Sequence, residues 1–165
     1  DPEMSRGLGD VYKRQVQGAT DNTRANGWKD ALEERGIEAP EPIVVSDGNL
    51  EKAVKAGHEL GRRGEATAIF ADSDETAIAV IRGLRETGRR VPDDVSVVGF
   101  DDRNFGALWE PSLTSYTQNF LDMGERSFRM LFEQIQAKRM GADMPPSQIE
   151  VVQGQPCLRA SEREI

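Results

Sequence analysis

The chain has few of the side chains that carry metal or redox chemistry. Among its 165 residues there is one cysteine, Cys157, and one histidine, His58. A single cysteine excludes an intrachain disulfide, and it fits the reducing cytoplasm that we expect for this protein. A lone histidine with no second ligand at metal spacing excludes a zinc site. We therefore expect His58 to be a solvated surface residue.

Long apolar runs, phosphate-binding loops and excess positive charge are also missing. No stretch approaches the ~20 apolar residues of a membrane span. Residues 1–15 contain no apolar core of a signal peptide. There is no phosphate-binding glycine loop and no Gly-x-Ser-x-Gly turn for a nucleophile. The formal net charge of −8 argues against nucleic-acid binding by this chain alone, because DNA affinity depends on Lys and Arg that neutralise phosphates.

What is present is a regular alternation of predicted strands and helices. Periodicity predicts strands at 16–19, 42–45, 66–71 and 95–100, separated by helices at 23–35, 50–63 and 74–87. This alternation predicts an α/β fold with a parallel sheet flanked by helices. Residues 113–165 would add a strand at 113–117, a long helix at 121–140 and one or two terminal strands within 149–158.

The first fifteen residues are unlike the rest. They show neither helical nor strand periodicity, and residues 10–15 are similar to a translated sequencing adapter. We expect residues 1–15 to be an artefactual extension outside the fold, with a natural disordered tail as the alternative.

The most informative segment is Val-Pro-Asp-Asp-Val-Ser-Val-Val-Gly-Phe-Asp-Asp at 91–102. A turn precedes a β-branched run that is typical of a buried central strand. This strand delivers Asp101 and Asp102 at its carboxyl end, where open α/β sheets bind ligands. From the pattern alone, Asp101 either accepts hydrogen bonds from a ligand or caps the next turn.

Together with Pro-Ser-Leu-Thr-Ser at 111–115, this segment resembles the effector-binding region of the LacI/GalR transcriptional repressors. The closing Cys-Leu-Arg-Ala-Ser-Glu at 157–162 resembles the Leu-x-x-Arg-x-Ser end of these repressors. The resemblance implies one lobe of a periplasmic-binding-protein-like fold, the C-terminal lobe at residues 16–112, followed by a crossover segment from residue 113. It also implies a sugar or nucleoside-like effector, no cofactor and no membrane partner. Operator DNA would be bound only by a headpiece outside this chain, in a homodimeric parent protein.

The resemblance implies ligand contacts from the amino end of the first helix and from the end of the fourth strand. Arg24 matches the family element Arg-x-x-Gly-[Phe/Trp], and its guanidinium offers five donors in a fixed fork. The alternative is a solvated arginine or one paired with Asp21. Asp101 matches the ligand-binding first Asp of Gly-[Phe/Tyr]-Asp-Asp, which leaves Asp102 to cap the next turn.

The resemblance implies two further ligand-binding residues, Ser73 and Phe120. Ser73 and Gly48 depart from the family pattern. Ser73 stands where the family usually has Asn, and Asp74 beside it is well placed to cap the following helix. Phe120 matches a position that closes the ligand cleft, although a core residue at a helix start is an equal interpretation. Gly48 stands where several relatives have an aromatic side chain that stacks on a sugar, and glycine cannot stack.

Two other functions remain open at this point. A transporter's solute-binding protein shares the two-lobe fold, although the repressor-like segments argue against it. A phosphoacceptor or enzyme could use Asp72, Asp74 or Asp101 at strand ends, but no partner lysine is suitably placed. We therefore expect that the protein is not an enzyme.

Overall fold

A computed structural model describes residues 8–13, 23–45, 49–143, 145–146 and 149–163. The chain forms two compact units: Asp1–Tyr116 with Pro156–Ile165, and Thr117–Gln155. The last ten residues therefore belong to the first unit, and the boundary at residue 113 stays a prediction. Within the described ranges, no helix is both long and apolar enough to cross a membrane.

The first unit is built on a four-stranded parallel sheet, which confirms the predicted α/β class. Its strands are β1 (Leu8–Lys13), β2 (Ile43–Val45), β3 (Ala68–Ala71) and β4 (Ser96–Val98), in the order β2-β1-β3-β4. Its helices are α1 (Thr23–Glu33), α2 (Leu50–Arg63) and α3 (Asp74–Glu86). Parallel pairing places the carboxyl ends of β3 and β4 side by side, with Phe70 opposite Val98.

The first strand differs from the sequence-based expectation. We expected a strand at 16–19 and none before it, but β1 pairs in parallel with both β2 and β3. Residues 16–19 lie outside the described residues. Ladder hydrogen bonds join backbone groups, so a segment without side-chain alternation can still pair. The expectation that residues 1–15 stay outside the fold is therefore wrong for Leu8–Lys13, and their artefactual origin stays a prediction.

Helices α2 and α3 pack with their backbones in contact. A methyl group added at Gly57 would lie within 3.0 Å of the Val80 carbonyl oxygen. One added at Gly83 would lie equally close to the carbonyl oxygen of Val54. Real side chains essentially never approach this closely, so only glycine fits at both positions. Around this contact lies the apolar core, whose largest buried members are Ile69, Ile81, Leu84, Leu113, Val80, Val95 and Val97.

The ends of α2 follow from local sequence. The Asn49 side chain accepts a hydrogen bond from the Lys52 N–H at 3.2 Å and so caps the amino end. Gly64, with φ of 70°, ends the helix in the left-handed conformation that favours glycine. His58 on this helix was expected to be solvated. Its side chain is 26% exposed, and its Nε2 makes a surface contact of 2.5 Å with Glu86 Oε2 on α3.

The second unit is dominated by α4 (Phe120–Met140), which confirms the predicted long helix. Asn119 caps its amino end through the Asp122 N–H, and Gly141 ends it with φ of 64°. All of α4 is described, and none of its residues is buried. Two short strands, β5 (Ser115–Thr117) and β6 (Gln155–Cys157), pair in a separate sheet.

Candidate functional site

The polar residues that follow β3 and β4 meet at the carboxyl edge of the sheet in the first unit. Asp72, Ser73 and Asp74 follow β3, and Phe100 and Asp101 follow β4. The Asp74 N–H donates to the Phe100 carbonyl oxygen at 2.9 Å. This bond joins the two loops into one surface, as the predicted parallel topology requires.

Arg24 reaches this edge from the first turn of α1. One guanidinium nitrogen lies 3.4 Å from Asp101 Oδ1, and another donates to the Asp72 carbonyl oxygen. Its Cζ lies 4.2 Å from the centre of the Phe100 ring, within cation–π range. The structure thus brings Arg24 and Asp101 together. Of the two alternatives for Arg24, a solvated side chain does not hold, and Asp21 lies outside the described residues.

The backbone of Asp101 and Asp102 is strained. Their φ angles are 97° and 49°, in the left-handed region that residues other than glycine rarely adopt. Such a conformation costs about 1–3 kcal/mol per residue and is found mainly at functional sites. The Asp101 N–H donates to the Tyr116 carbonyl oxygen at 3.0 Å, which helps to hold the turn.

Asp74 supports this turn through hydrogen bonds to its side chain. Its side chain is fully buried and accepts hydrogen bonds from the Ser115 hydroxyl at 2.6 Å and from the Arg103 N–H. Burial raises the pKa of Asp74, whereas these two hydrogen bonds lower it. Gly99 leaves the space that the carboxylate needs, since a methyl group there would come within 3.0 Å of Asp74 Oδ1. Asp74 is therefore a structural support of the edge.

Ser73, and not Asp74, is the amino-terminal cap of α3. The Ser73 hydroxyl oxygen accepts from the Thr76 N–H at 3.3 Å and lies 3.0 Å from the Thr76 hydroxyl. The expectation that Asp74 caps this helix is wrong, because its carboxylate faces Ser115 and Arg103. A ligand contact by Ser73 stays a prediction. So does one by Phe120, which begins α4 in the second unit with 55% of its surface exposed.

The prediction that Asp102 caps the next turn is wrong, because its carboxylate binds the closing segment of the chain. Its Oδ1 accepts from Arg159 Nη2 at 2.6 Å, and its Oδ2 lies 3.3 Å from Cys157 Sγ. The sequence could have pointed to Arg159 through its position in the closing Leu-x-x-Arg-x-Ser-like segment, but the resemblance predicted no contact for this arginine.

An apolar cavity of about 820 Å³ lies beside the Arg24–Asp101 pair. Phe100 stacks on Tyr116 with ring centres 5.4 Å apart, and Phe70 meets Phe100 edge-on. The lining is apolar except at one end and consists of Arg24, Gly27, Trp28, Leu32, Ala68, Ile69, Phe70, Val98, Phe100 and Tyr116. An apolar cavity with a few convergent polar groups suits a small organic ligand.

The described residues contain no group of three or more His, Cys, Asp or Glu side chains that could hold a metal ion. Gly48, which stands where several relatives have an aromatic side chain, lies outside the described residues.

A parallel α/β lobe with donors and acceptors gathered at its carboxyl edge is the arrangement with which open α/β folds bind small molecules. The chain belongs to the periplasmic binding protein-like domain family, whose model matches residues 9–161, and within it to the LacI/GalR regulators.

Named relatives agree with this assignment. The chain is 40% identical over 114 residues to the HTH-type transcriptional regulator CelR of Thermobifida fusca, covering 68% of this chain and 34% of that protein. It is 34% identical over 110 residues to catabolite control protein A of Priestia megaterium, covering 66% and 33%. The solved CelR–cellobiose complex matches with a TM-score of 0.76 at 32% identity, covering 94% of this chain and 46% of that one. The chain thus spans about a third of the length of these curated relatives.

Proposed function

We propose that this chain senses a small-molecule effector for a DNA-binding transcriptional regulator. The effector, a sugar or nucleoside-like molecule, contacts Arg24 and Asp101, with its less polar part against the aromatic lining of the cavity. The observation that carries this proposal is the Arg24–Asp101 pair on a strained turn beside that cavity. It supplies fixed donors and acceptors next to apolar surface, as a hydroxylated ring requires.

In the whole regulator, effector binding would change affinity for operator DNA. Coupling of this kind typically amounts to about 1–3 kcal/mol between the two sites. The acidic chain described here would leave DNA contact to a headpiece elsewhere in a homodimeric, cytoplasmic parent. Similarity to transcriptional regulators favours this function over a transporter's solute-binding protein and over an enzyme.

The proposal is tested by titrating the purified chain with cellobiose, lactose and inosine, two disaccharides and a nucleoside. Trp28 lines the cavity, whereas Trp109 lines a different pocket beside Arg85. A Trp109→Phe background therefore leaves Trp28 as the only tryptophan reporter of binding. We expect at least one of these probes to change Trp28 fluorescence saturably.

Arg24→Ala is expected to weaken binding of that probe by about 10- to 150-fold, because a hydrogen bond to a charged group contributes about 1.5–3 kcal/mol. Arg62→Ala removes the same charge from the exposed end of α2 and should leave the Kd unchanged. A folded chain that binds none of the three probes, or an Arg24→Ala variant that binds as tightly as the parent, would overturn the proposal.

A further inference from the structure

Arg159 joins the closing segment of the chain to the strained turn. Its Nη2 donates to Asp102 Oδ1 at 2.6 Å, and its Nη1 donates to the Leu113 carbonyl oxygen at 2.7 Å. The backbone N–H of Arg159 donates to the Thr114 hydroxyl at 2.8 Å. The Arg159 and Asp102 side chains are only 22% and 19% exposed, so solvent screens this ion pair less than a surface pair.

The partner of Arg159 is the second residue of the left-handed pair. Asp102 follows Asp101 directly, and its own N–H donates to the Ser115 hydroxyl oxygen at 3.0 Å. A residue in the left-handed region stays there only when surrounding contacts fix it. Arg159 fixes the Asp102 side chain, and Ser115 fixes its backbone. If the Asp102 side chain is released, the peptide that joins it to Asp101 can turn toward a relaxed conformation.

We propose that Arg159 is a positioning residue for effector binding: by holding Asp102, it keeps Asp101 in its left-handed conformation and its carboxylate aimed at Arg24. The inference rests on the proposed function of Asp101 as a ligand contact. Arg159 does not line the cavity, so its effect on the ligand would act through the turn.

The competing interpretation is that Arg159 only anchors the closing segment. Ser161 provides a matched control, because it anchors the same segment without touching Asp102. Its hydroxyl donates to the Val97 carbonyl oxygen at 2.6 Å and accepts from the Thr114 N–H at 2.8 Å, in a fully buried position. Ser161→Ala therefore loosens the segment and leaves the Arg159–Asp102 pair in place.

The first test needs no ligand. At positive φ, the amide hydrogen and the Hα of one residue lie unusually close, which gives a strong intraresidue nuclear Overhauser effect. In the ligand-free chain we expect this effect to be strong for Asp101 and Asp102, to weaken in Arg159→Ala and to persist in Ser161→Ala. Persistence in Arg159→Ala, or equal weakening in both variants, would overturn the proposal.

Arg159→Lys covers the case in which Arg159→Ala does not fold. A lysine ammonium keeps the charge but cannot reproduce the planar fork that bridges Asp102 and the Leu113 carbonyl. We expect weakened effects at Asp101 and Asp102 in this variant as well. Unchanged ones would refute the positioning role.

The second test uses whichever of cellobiose, lactose or inosine the parent chain binds. Arg159→Ala should raise the Kd for that probe about tenfold, equivalent to about 1.4 kcal/mol, whereas Ser161→Ala should change this Kd by no more than about twofold. Equal Kd increases in the two variants would reduce Arg159 to an anchor. If the parent binds no probe, the proposed function fails, and the Overhauser comparison still decides whether Arg159 holds the turn.

Discussion

Replacing Gly99 by alanine should destabilise the first unit through the buried carboxylate of Asp74. The new methyl group would lie within 3.0 Å of Asp74 Oδ1 and 3.0 Å from Leu113 Cδ2, and both side chains are fully buried. Overpacking of this kind costs about 1–3 kcal/mol. The Asp74 carboxylate also accepts two hydrogen bonds, each worth about 1.5–3 kcal/mol to a charged group, so it resists displacement.

We therefore expect Gly99→Ala to lower the free energy of unfolding by about 2–3 kcal/mol, which corresponds to a Tm lower by about 4–12 °C in a protein of this size. Thermal unfolding followed by far-ultraviolet circular dichroism measures this shift. Gly106→Ala is the control, because a methyl group there would meet its nearest neighbour, Leu113 Cβ, at an ordinary 3.5 Å.

Both substitutions restrict the unfolded chain similarly, so the difference between their Tm values reports the close approach of the Gly99 methyl to Asp74 Oδ1 and Leu113 Cδ2. We expect Gly106→Ala to change the stability by less than about 0.5 kcal/mol. Equal Tm values for the two variants would show that Gly99 is not needed to make room for the carboxylate.

Three further predictions concern stability and are measured by urea unfolding. Gly83→Ala should lower the free energy of unfolding by an amount toward the upper end of about 1–3 kcal/mol, because the new methyl group meets the backbone of Val54. A loss below about 0.5 kcal/mol would contradict this packing. Gly124→Ala should raise the free energy of unfolding by about 0.5–1 kcal/mol, because position 124 lies inside α4 and an added methyl group would meet no atom within 4 Å. Destabilisation would mean that this position has no room for a methyl group. Burial raises the pKa of Asp74 above its ordinary 3.8, so the folded state holds this proton to higher pH than the unfolded state. The stability of the parent relative to Asp74→Asn should therefore fall as pH rises from 3.8 through the raised pKa, and a rise there would refute the assignment.

Sequence patterns identified the centre of the candidate site because its chemistry is local. A β-branched run before Asp101 predicts a buried strand that leads to a carboxylate, and β4 is that strand, although it ends at Val98 and not at Phe100 as predicted. Between residues 23 and 98, the order of strands and helices likewise followed from periodicity. The presence of both Arg24 and Asp101 in one site was expected only from family resemblance, since 77 residues separate the two positions, and their contact with each other was not predicted.

Long-range contacts and cap geometry were beyond pattern analysis. The bond between Arg159 and Asp102 spans 57 residues, and no periodicity reports which carboxylate an arginine near the chain end will meet. Ser73 and Asp74 are adjacent and both favour a helix start. Only the positions of Ser115 and the Arg103 N–H decide that the carboxylate turns away from the cap. The strand at Leu8–Lys13 was missed because its pairing depends on backbone groups.

The glycine contact between α2 and α3 bears on how movement spreads through the first unit. Helices separated by long side chains can slide as those side chains change rotamer, whereas at Gly57 and Gly83 no side chain is available to adjust. The two helices therefore behave as one mechanical body, and we expect their core amides to exchange with solvent as a single cooperative unit. Ser73 and Asp74 stand at the amino end of this body, directly under the turn that holds Asp101. A displacement of that end would therefore move both helices together.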